Sequence, residues 1–155
     1  MRFCTALILL LLSSSVLAGG TAKAQINTLF EGYMAKYNHF LEHGVLPNTP
    51  ELYTDTVMLM SSRSKPSVIT LAQMNQQVQV FLSSLKADGV SYVKWGKVSI
   101  HQLDDNIALV SNIAERYTKT GTLHNKVGAS YYVYLIDGQW KISAFAIHNA
   151  KNTLI

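Results

Sequence analysis

Residues Tyr131–His148 read YYVYLIDGQWKISAFAIH and contain the clearest fold signal in the chain. Two apolar runs meet at Asp137-Gly138, and an Asp-Gly pair between apolar runs is a strong signal for a β-hairpin with a two-residue turn. Such a turn fixes the register, so Ile136 pairs with Gln139 and each further pair lies one residue along both strands. The sequence therefore predicts two long antiparallel strands, over residues 127–136 and 139–148.

Two amphipathic helices precede these strands. Apolar residues recur at steps of three and four from Ile26 to Leu41 and again from Leu71 to Leu85, which is the period of one helix face. Capping-box spacing marks both starts and glycine marks both ends. The residues concerned are Thr28 with Glu31, Thr70 with Gln73, Gly44 and Gly89.

Smaller elements lie between and after the helices. Thr49 as N-cap and Pro50 at the first helical position predict a short helix that ends near Tyr53. The run TVMLM predicts a short buried strand, and the polar SSRSKPS that follows it predicts a loop. Two further strands, over residues 92–103 and 107–118, come before the Asp-Gly hairpin. This order predicts an α+β domain whose helices pack on one face of an antiparallel sheet.

Alternation along the hairpin predicts which side chains face the helices. The more apolar face carries Tyr131 and ends at His148, so His148 is predicted to point inward. The opposite face carries the aromatic side chains of Tyr132, Tyr134 and Phe145. Exposed aromatic residues of this kind mark partner surfaces, so these three residues are the predicted homodimer interface.

The same parity argument applies to the preceding pair of strands. It places Glu115 and Tyr117 inward, and Trp95 and Arg116 outward. A β-bulge would reverse the assignment, because one extra residue in a strand exchanges its two faces.

The N-terminal residues MRFCTALILLLLSSSVLAGGTAKA have the features of a secretory signal peptide. Arg2 gives a positive start, Ala6–Leu12 is unbroken apolar, and the AKA ending at Ala24 fits a small-x-small cleavage site, with Ala18 as an alternative. The apolar run is shorter than the ~20 residues that span a bilayer, which disfavours a membrane anchor. We expect removal of residues 1–24, and a secreted or periplasmic protein in which residues 25–155 form one domain and no membrane span remains.

Composition and charge exclude several functional classes. With 48% hydrophobic and 14% charged residues, the chain is predicted to fold. Cleavage takes two positive charges, Arg2 and Lys23, from a formal net charge of +4, and the remaining basic residues form no run, so a nucleic-acid partner is not expected. Cys4 leaves with the same segment, so the mature chain has no thiol nucleophile.

The chain resembles the nuclear transport factor 2-like superfamily, which includes SnoaL-like polyketide cyclases and ketosteroid isomerases. The resemblance spans residues 25–155 and rests on FEGYMAKYNHFLEHG, LYTD, IALVSNIAERYTKTG and above all GQWKISAFAIH. It implies a cone-shaped fold, in which a strongly curved antiparallel sheet wraps around N-terminal helices and leaves a pocket at the open end. It also implies small apolar ligands or substrates, and dimers formed through the outer sheet face.

Catalytic residues of the family are not matched here. Isomerase-type members carry an aspartate base eight residues after the motif tyrosine, and counting from Tyr53 gives Ser61, which counts against isomerase activity. Glu115 and His148 remain as weak acid–base candidates if both point into the pocket. The alternative is that Glu115 pairs with Lys94 and that His148 is hydrogen-bonded at a strand end.

We therefore expect binding of a small apolar ligand without catalysis and without a cofactor. The predicted ligand-binding residues are Tyr33, Tyr37, Phe81, Tyr117, Tyr131 and His148. The alternatives are a cyclase- or isomerase-class enzyme that uses Glu115 or His148, and a dimeric interaction module with a filled pocket. His39 and His43 have i, i+4 spacing, but no third ligand accompanies them, so no metal site is expected.

Overall fold

The computed structural model describes residues 21–155, so residues 1–20 of the predicted signal peptide lie outside the described residues. Two helices pack against one six-stranded, curved and unclosed sheet with the strand order β2-β1-β6-β5-β4-β3. The predicted α+β cone fold is confirmed. The elements are α1 (Ala22–His43), β1 (Tyr53–Ser61), β2 (Ser64–Thr70), α2 (Leu71–Ala87), β3 (Val90–Asp104), β4 (Ile107–Thr118), β5 (Leu123–Ile136), β6 (Gln139–His148) and a 3-10 turn, Ala150–Asn152.

The helix α1 begins earlier than its predicted cap. Thr21 is the N-cap, and its hydroxyl accepts a hydrogen bond from the Ala24 amide. Thr28 lies inside the helix, where its hydroxyl donates to the Ala24 carbonyl, so the prediction of a capping box at Thr28 was wrong. The helix ends as predicted at Gly44, whose φ of 78° is the left-handed conformation that glycine adopts without strain.

The start and end of α2 follow the sequence prediction. The Thr70 hydroxyl accepts from the Gln73 amide, and the Gln73 side chain accepts from the Thr70 amide, which completes the predicted capping box. Gly89, with a φ of 85°, follows the last turn. Within residues 21–155, no helix is both long and apolar enough to cross a membrane.

The segment between the helices differs from the prediction. Residues 45–52 contain no helix, and the polar SSRSKPS is not a loop, since Ser64–Thr70 forms the edge strand β2 paired with β1. Both faces of β2 are mostly exposed, so its sequence has no apolar alternation, and Pro66 is tolerated because an edge strand has one unpaired side. The strands β1 and β6 pair in parallel, so the sheet is mixed rather than purely antiparallel.

The Asp-Gly turn has the predicted geometry, but the register changes further along. Asp137 and Gly138 have φ values of 50° and 76°, which is a type I′ turn, and Ile136 pairs with Gln139. A bulge at Ser143 then shifts the pairing, so that Tyr132 lies opposite Ala144. Every β6 residue after Ser143 therefore lies on the opposite face from the one predicted.

The strand β3 contains three register shifts, and two of them change which side chains face the helices. The register shifts between Gln102 and Asp104, and again between Trp95 and Lys97. The first shift changes which β4 residues face the helices, and the second turns Trp95 inward. The predicted parity of the pair β3 and β4 was therefore wrong for the four residues singled out: Trp95 and Arg116 face inward, and Glu115 and Tyr117 face outward.

Asn38 attaches α1 to the free edge of the sheet. Its side-chain amide donates to the Val93 carbonyl at 2.9 Å and accepts from the Val93 amide at 2.8 Å. The side chain thus acts as a strand neighbour for β3, which has no strand on that side. The apolar core lies between the two helices and the inner face of the sheet.

Candidate functional site: an apolar cavity with one cationic side chain

A cavity of about 300 Å³ lies between the two helices and the inner face of the sheet. This volume is at the lower end of the range of about 300–1,000 Å³ that is typical of small-molecule sites. Most of the wall is apolar or aromatic, because residues of all six strands and both helices meet there. The larger lining side chains include Tyr33, Met34, Tyr37, Met74, Phe81, Trp95, Tyr131 and Phe145.

Aromatic packing builds the inner part of the wall. The rings of Tyr33 and Tyr37 lie 4.2 Å apart, and the ring of Tyr33 lies 5.3 Å from that of Trp95. The indole nitrogen of Trp95 donates to the Phe30 carbonyl at 2.9 Å, which fixes the orientation of the indole. Tyr131 lies 5.6 Å from Phe145 across the sheet. These contacts hold the wall in a defined shape before any ligand enters.

The buried tyrosines remain protonated near neutral pH. Burial raises the pKa of Tyr33 and of Tyr37 well above the ordinary value, and Tyr53, whose hydroxyl lies 3.2 Å from that of Tyr37, behaves in the same way. Burial also raises the pKa of Tyr131, to about 12, although Tyr33 and the cation of Arg116 oppose the increase. The cavity therefore offers hydroxyl groups that can donate hydrogen bonds.

Arg116 is the one charged side chain among the described residues that line the cavity. Its guanidinium carbon lies 5.1 Å from the centre of the Phe81 ring, and one of its nitrogens donates to the Asn125 side chain at 3.4 Å. Burial lowers the pKa of Arg116, which reflects the cost of holding this cation away from water. The ion pairs found within residues 21–155 do not include Arg116.

Asn112 lies on the same inner face, two residues before Ala114 along β4. It is fully buried, and neither polar atom of its amide has a hydrogen-bond partner among the described residues. Its amide lowers the pKa of Tyr131, which places the two groups side by side. A buried amide of this kind is costly unless it is hydrogen-bonded. The Asn112 side chain therefore offers a hydrogen-bond donor and an acceptor next to the aromatic wall.

The structure brings together four of the six predicted ligand-binding residues. Tyr33, Tyr37, Phe81 and Tyr131 all line the cavity. Tyr117 does not, because it lies on the outer face, where its ring stacks on Tyr92.

His148 lies on the outer face as well. The Ser143 bulge places it opposite Gly128 on that face. Its Nε2 is 3.1 Å from the Ser130 hydroxyl, and its Nδ1 is 3.0 Å from the Asn149 carbonyl. The prediction that His148 points into the pocket was wrong. The structure instead contains the alternative, a histidine that is hydrogen-bonded at the end of a strand.

Glu115 belongs to an ion-pair cluster on the same outer face. Its carboxylate lies 2.6 Å from Lys126 and 3.9 Å from Lys94, and it accepts a hydrogen bond from the Tyr117 hydroxyl at 2.6 Å. The hydrogen bond from Lys126, followed by that from Tyr117, lowers the pKa of Glu115. The carboxylate is thus held ionised outside the cavity, so Glu115 and His148 do not form an acid–base pair there.

Phe145 also departs from its prediction. It was assigned to an outer-face dimer interface, but after the Ser143 bulge it pairs with Tyr131 and lines the cavity. Tyr132 and Tyr134 do lie on the outer face, with 45% and 37% of their surface exposed. The dimer role of this face stays a prediction.

Sequence reasoning missed Arg116, Asn112, Trp95 and Phe145 as inner-face residues. The available signal was the size of the side chains. After the bulge, the larger Phe145 and Ile147 turn inward, whereas the small Ala144 and Ala146 turn outward.

The histidines at the end of α1 do not extend into a metal site. The rings of His39 and His43 lie 4.5 Å apart on an exposed turn, and the nearest acid to His43 is Glu42 at 3.6 Å. Within residues 21–155, no group of three or more histidine, cysteine or acidic side chains is arranged to hold a metal ion.

Comparisons with known proteins agree with this architecture. Residues 23–150 match the family model described as NTF2-like protein (DUF6841). The comparison with curated proteins found no match. An NTF2-like protein with a cystatin-like fold from Novosphingobium aromaticivorans has a TM-score of 0.63 and 13% identity over 84% of this chain and 82% of that chain.

Two further solved structures are similar. An NTF-2 like protein from Shewanella oneidensis has a TM-score of 0.58 and 14% identity, over 81% of this chain and 97% of that one. An NTF2-like protein from Cytophaga hutchinsonii has a TM-score of 0.57 and 16% identity, over 84% and 99%. At these identities the similarity extends to the fold alone.

The fold and its cavity thus define a cone-shaped α+β protein with an internal pocket. The family match covers most of the chain, and the chain belongs to the NTF2-like family.

Proposed function

We propose that this NTF2-like protein binds a small, largely apolar molecule in its cavity without transforming it. The observation that carries the proposal is an apolar cavity of about 300 Å³ whose lining, within the described residues, contains no carboxylate and no imidazole. Its titratable groups are tyrosines with raised pKa values and Arg116, and none of these exchanges a proton near neutral pH. The walls supply burial and hydrogen-bond donors, which favour retention of a ligand.

Two other functions remain as competing proposals. An enzyme of the cyclase or isomerase class would need an acid–base group in the cavity, and both candidates, Glu115 and His148, lie on the outer face. A pure interaction module would need a pocket filled by its own side chains, which an open volume of about 300 Å³ disfavours.

A neutral fluorescent probe tests the binding proposal. N-phenyl-1-naphthylamine brightens in apolar surroundings, so saturable one-to-one binding to the purified protein is the expected result. Ala114→Phe places a ring in the cavity and should abolish the signal, because Ala114 lines the wall. The matched control is Leu109→Phe, which enlarges a side chain on the outer face of the same strand.

The control decides between pocket binding and surface adsorption. If Ala114→Phe and Leu109→Phe bind the probe equally, the cavity is not the site and the proposal is wrong. Should Ala114→Phe fail to fold by circular dichroism, Val127→Phe provides a second blocked cavity, since Val127 lies directly opposite Ala114 on the inner face.

We further propose that the protein is exported and that residues 1–24 are removed, in keeping with the signal-peptide pattern of the sequence. The position of the cut bears on α1, because Thr21 caps that helix and Ala24 lies in its first turn. Cleavage after Ala18 retains the cap, and cleavage after Ala24 removes it. The intact mass of the protein from the secreted or periplasmic fraction distinguishes the two cuts, and an unprocessed chain in the cytoplasm would refute export.

A homodimer through the outer sheet face is also proposed. Its support is a row of side chains across neighbouring strands, in which Met58, Ala144 and Tyr132 lie side by side on that face. Met58 and Tyr132 are 41% and 45% exposed, an unusual exposure for a large apolar and an aromatic side chain at the middle of a sheet. Light scattering at micromolar concentration tests the proposal: wild type should have twice the monomer mass, and Tyr132→Asp should have the monomer mass.

A further inference from the structure

We infer that the molecule held in the cavity is an apolar monocarboxylic acid, and that Arg116 is the residue that pairs with its carboxylate. This inference rests on the proposed binding function and adds the chemical class of the ligand to it.

Much of the hydrogen-bonding capacity of the Arg116 guanidinium is unused in the part of the chain that the structure describes. An arginine side chain presents five N–H donors in a planar fork. Within the described residues, Arg116 makes one side-chain hydrogen bond, to Asn125 at the long distance of 3.4 Å. The remaining donors face a wall whose other members are apolar or carry neutral polar groups. A carboxylate matches this fork with two parallel hydrogen bonds.

The charges around Arg116 favour an anionic ligand. Its sequence neighbour Glu115 points to the opposite face of the sheet, where Lys126 and Lys94 neutralise it. No Asp or Glu occurs among the described lining residues. The cation therefore has no internal counterion at the cavity, and an anionic ligand meets attraction there without a competing repulsion. Burial has a cost for an unpaired cation, and a bound carboxylate offsets that cost.

The charge of Arg116 lies near the end of the cavity that is close to solvent. Phe81 is 39% exposed and lies over the guanidinium, so this end of the cavity is close to solvent. Arg116 also acts on Tyr131, whose pKa it lowers, so the cation faces the same interior as the buried hydroxyls. A ligand can then place its apolar body between Met34, Met74 and Trp95 and keep its acid group at Arg116.

The single positive charge among the described lining residues favours a carboxylate over a phosphate, and the cavity volume limits the size of the ligand. A single cation neutralises a monoanion, whereas a phosphate dianion keeps an uncompensated charge in an apolar wall. A cavity of roughly 150 Å³ is enough for benzene, so about 300 Å³ accommodates a body the size of two fused rings together with its acid group.

A matched pair of probes tests the inference by isothermal titration calorimetry. The acid is 2-naphthoate and the neutral analogue is 2-naphthalenemethanol, which has the same ring system. In the wild-type protein the acid should bind on the order of tenfold to a hundredfold more tightly than the alcohol, as expected for a hydrogen bond to a charged partner. In Arg116→Gln this preference should disappear, because the acid loses its charged partner and then binds no more tightly than the alcohol.

The control for loss of charge is Lys97→Gln, because Lys97 is exposed on the outer face of β3. It should keep the full preference for the acid. Arg116→Lys keeps the positive charge but loses the two parallel hydrogen bonds of the guanidinium, so it should retain only part of the preference for the acid. This variant also tests the inference if Arg116→Gln folds poorly. In wild type, raising the salt concentration should weaken binding of the acid and leave binding of the alcohol unchanged.

The outcomes separate the inference from the proposed function. If the alcohol binds as tightly as the acid, or if the preference survives in Arg116→Gln, the carboxylate inference is overturned and the cavity is still a binding site. If neither probe binds to the wild-type protein at millimolar concentration, both the inference and the binding proposal fail.

Discussion

Replacement of Asn38 by alanine should destabilise the protein by about 2–4 kcal/mol, because this side chain replaces a missing strand at the edge of the sheet. Its amide makes two hydrogen bonds, of 2.8 and 2.9 Å, with the backbone of Val93, a residue that is only 5% exposed. Each of the two buried backbone groups left without a partner costs about 1–3 kcal/mol, which gives about 2–6 kcal/mol for both. The expected loss lies in the lower part of that range, since β3 is an edge strand that water can approach.

The alanine substitution has an opposing effect within α1, because alanine favours helix formation by a few tenths of a kcal/mol relative to asparagine. Asn27→Ala measures that effect separately. Asn27 lies in the same helix with an exposed side chain, and it makes no side-chain hydrogen bond among the described residues. The difference between the two variants isolates the contribution of the Asn38 bonds.

Urea denaturation followed by circular dichroism is the assay, with the free energy of unfolding extrapolated linearly to water. The free energy of unfolding of a natural domain is about 5–15 kcal/mol, so the expected loss should lower the urea midpoint clearly. An unfolding free energy of Asn38→Ala within about 0.5 kcal/mol of that of Asn27→Ala would show that the two Asn38 hydrogen bonds do not stabilise the protein. Tyr33 on α1 and Trp95 on β3 both line the cavity, so the same variant should also weaken probe binding.

Three further predictions concern the turn, the outer face and the assignment of faces. Gly138→Ala should cost about 1 kcal/mol of unfolding free energy, because the φ of 76° strains any residue with a Cβ, and a thermal melt that matches wild type would contradict this. The pKa of Glu115 is lowered, chiefly by Lys126, so its carboxylate contributes stability above the ordinary glutamate value of about 4.3, and this contribution is lost as the pH falls through the lower folded value. Between about pH 5 and pH 3, the melting temperature of Glu115→Gln should therefore fall less than that of wild type, and parallel curves would show that the cluster contributes nothing. Phe145→Asp should unfold the protein, whereas Tyr132→Asp should leave a folded chain by circular dichroism, and the reverse order would restore the face assignment predicted from the sequence.

Features that depend only on neighbouring residues could be predicted from the sequence. The Asp137-Gly138 turn, the Thr70–Gln73 capping box and the Gly44 stop all arise from contacts within a few residues, so their patterns predict them directly. The GQWKISAFAIH strand also carried enough family resemblance to indicate the cone fold.

Which side chains face the cavity depends on long-range strand pairing, and the sequence pattern did not predict it. Both faces of β4 and β6 are apolar enough to be buried, so alternation alone does not select one of them. The choice depends on the bulge at Ser143 and the register shifts in β3. Such bulges accompany the curvature of the sheet, and no local sequence motif predicts their positions. A single inserted residue exchanges the two faces, which moved Phe145 and Arg116 into the cavity wall and left Glu115 and His148 outside it.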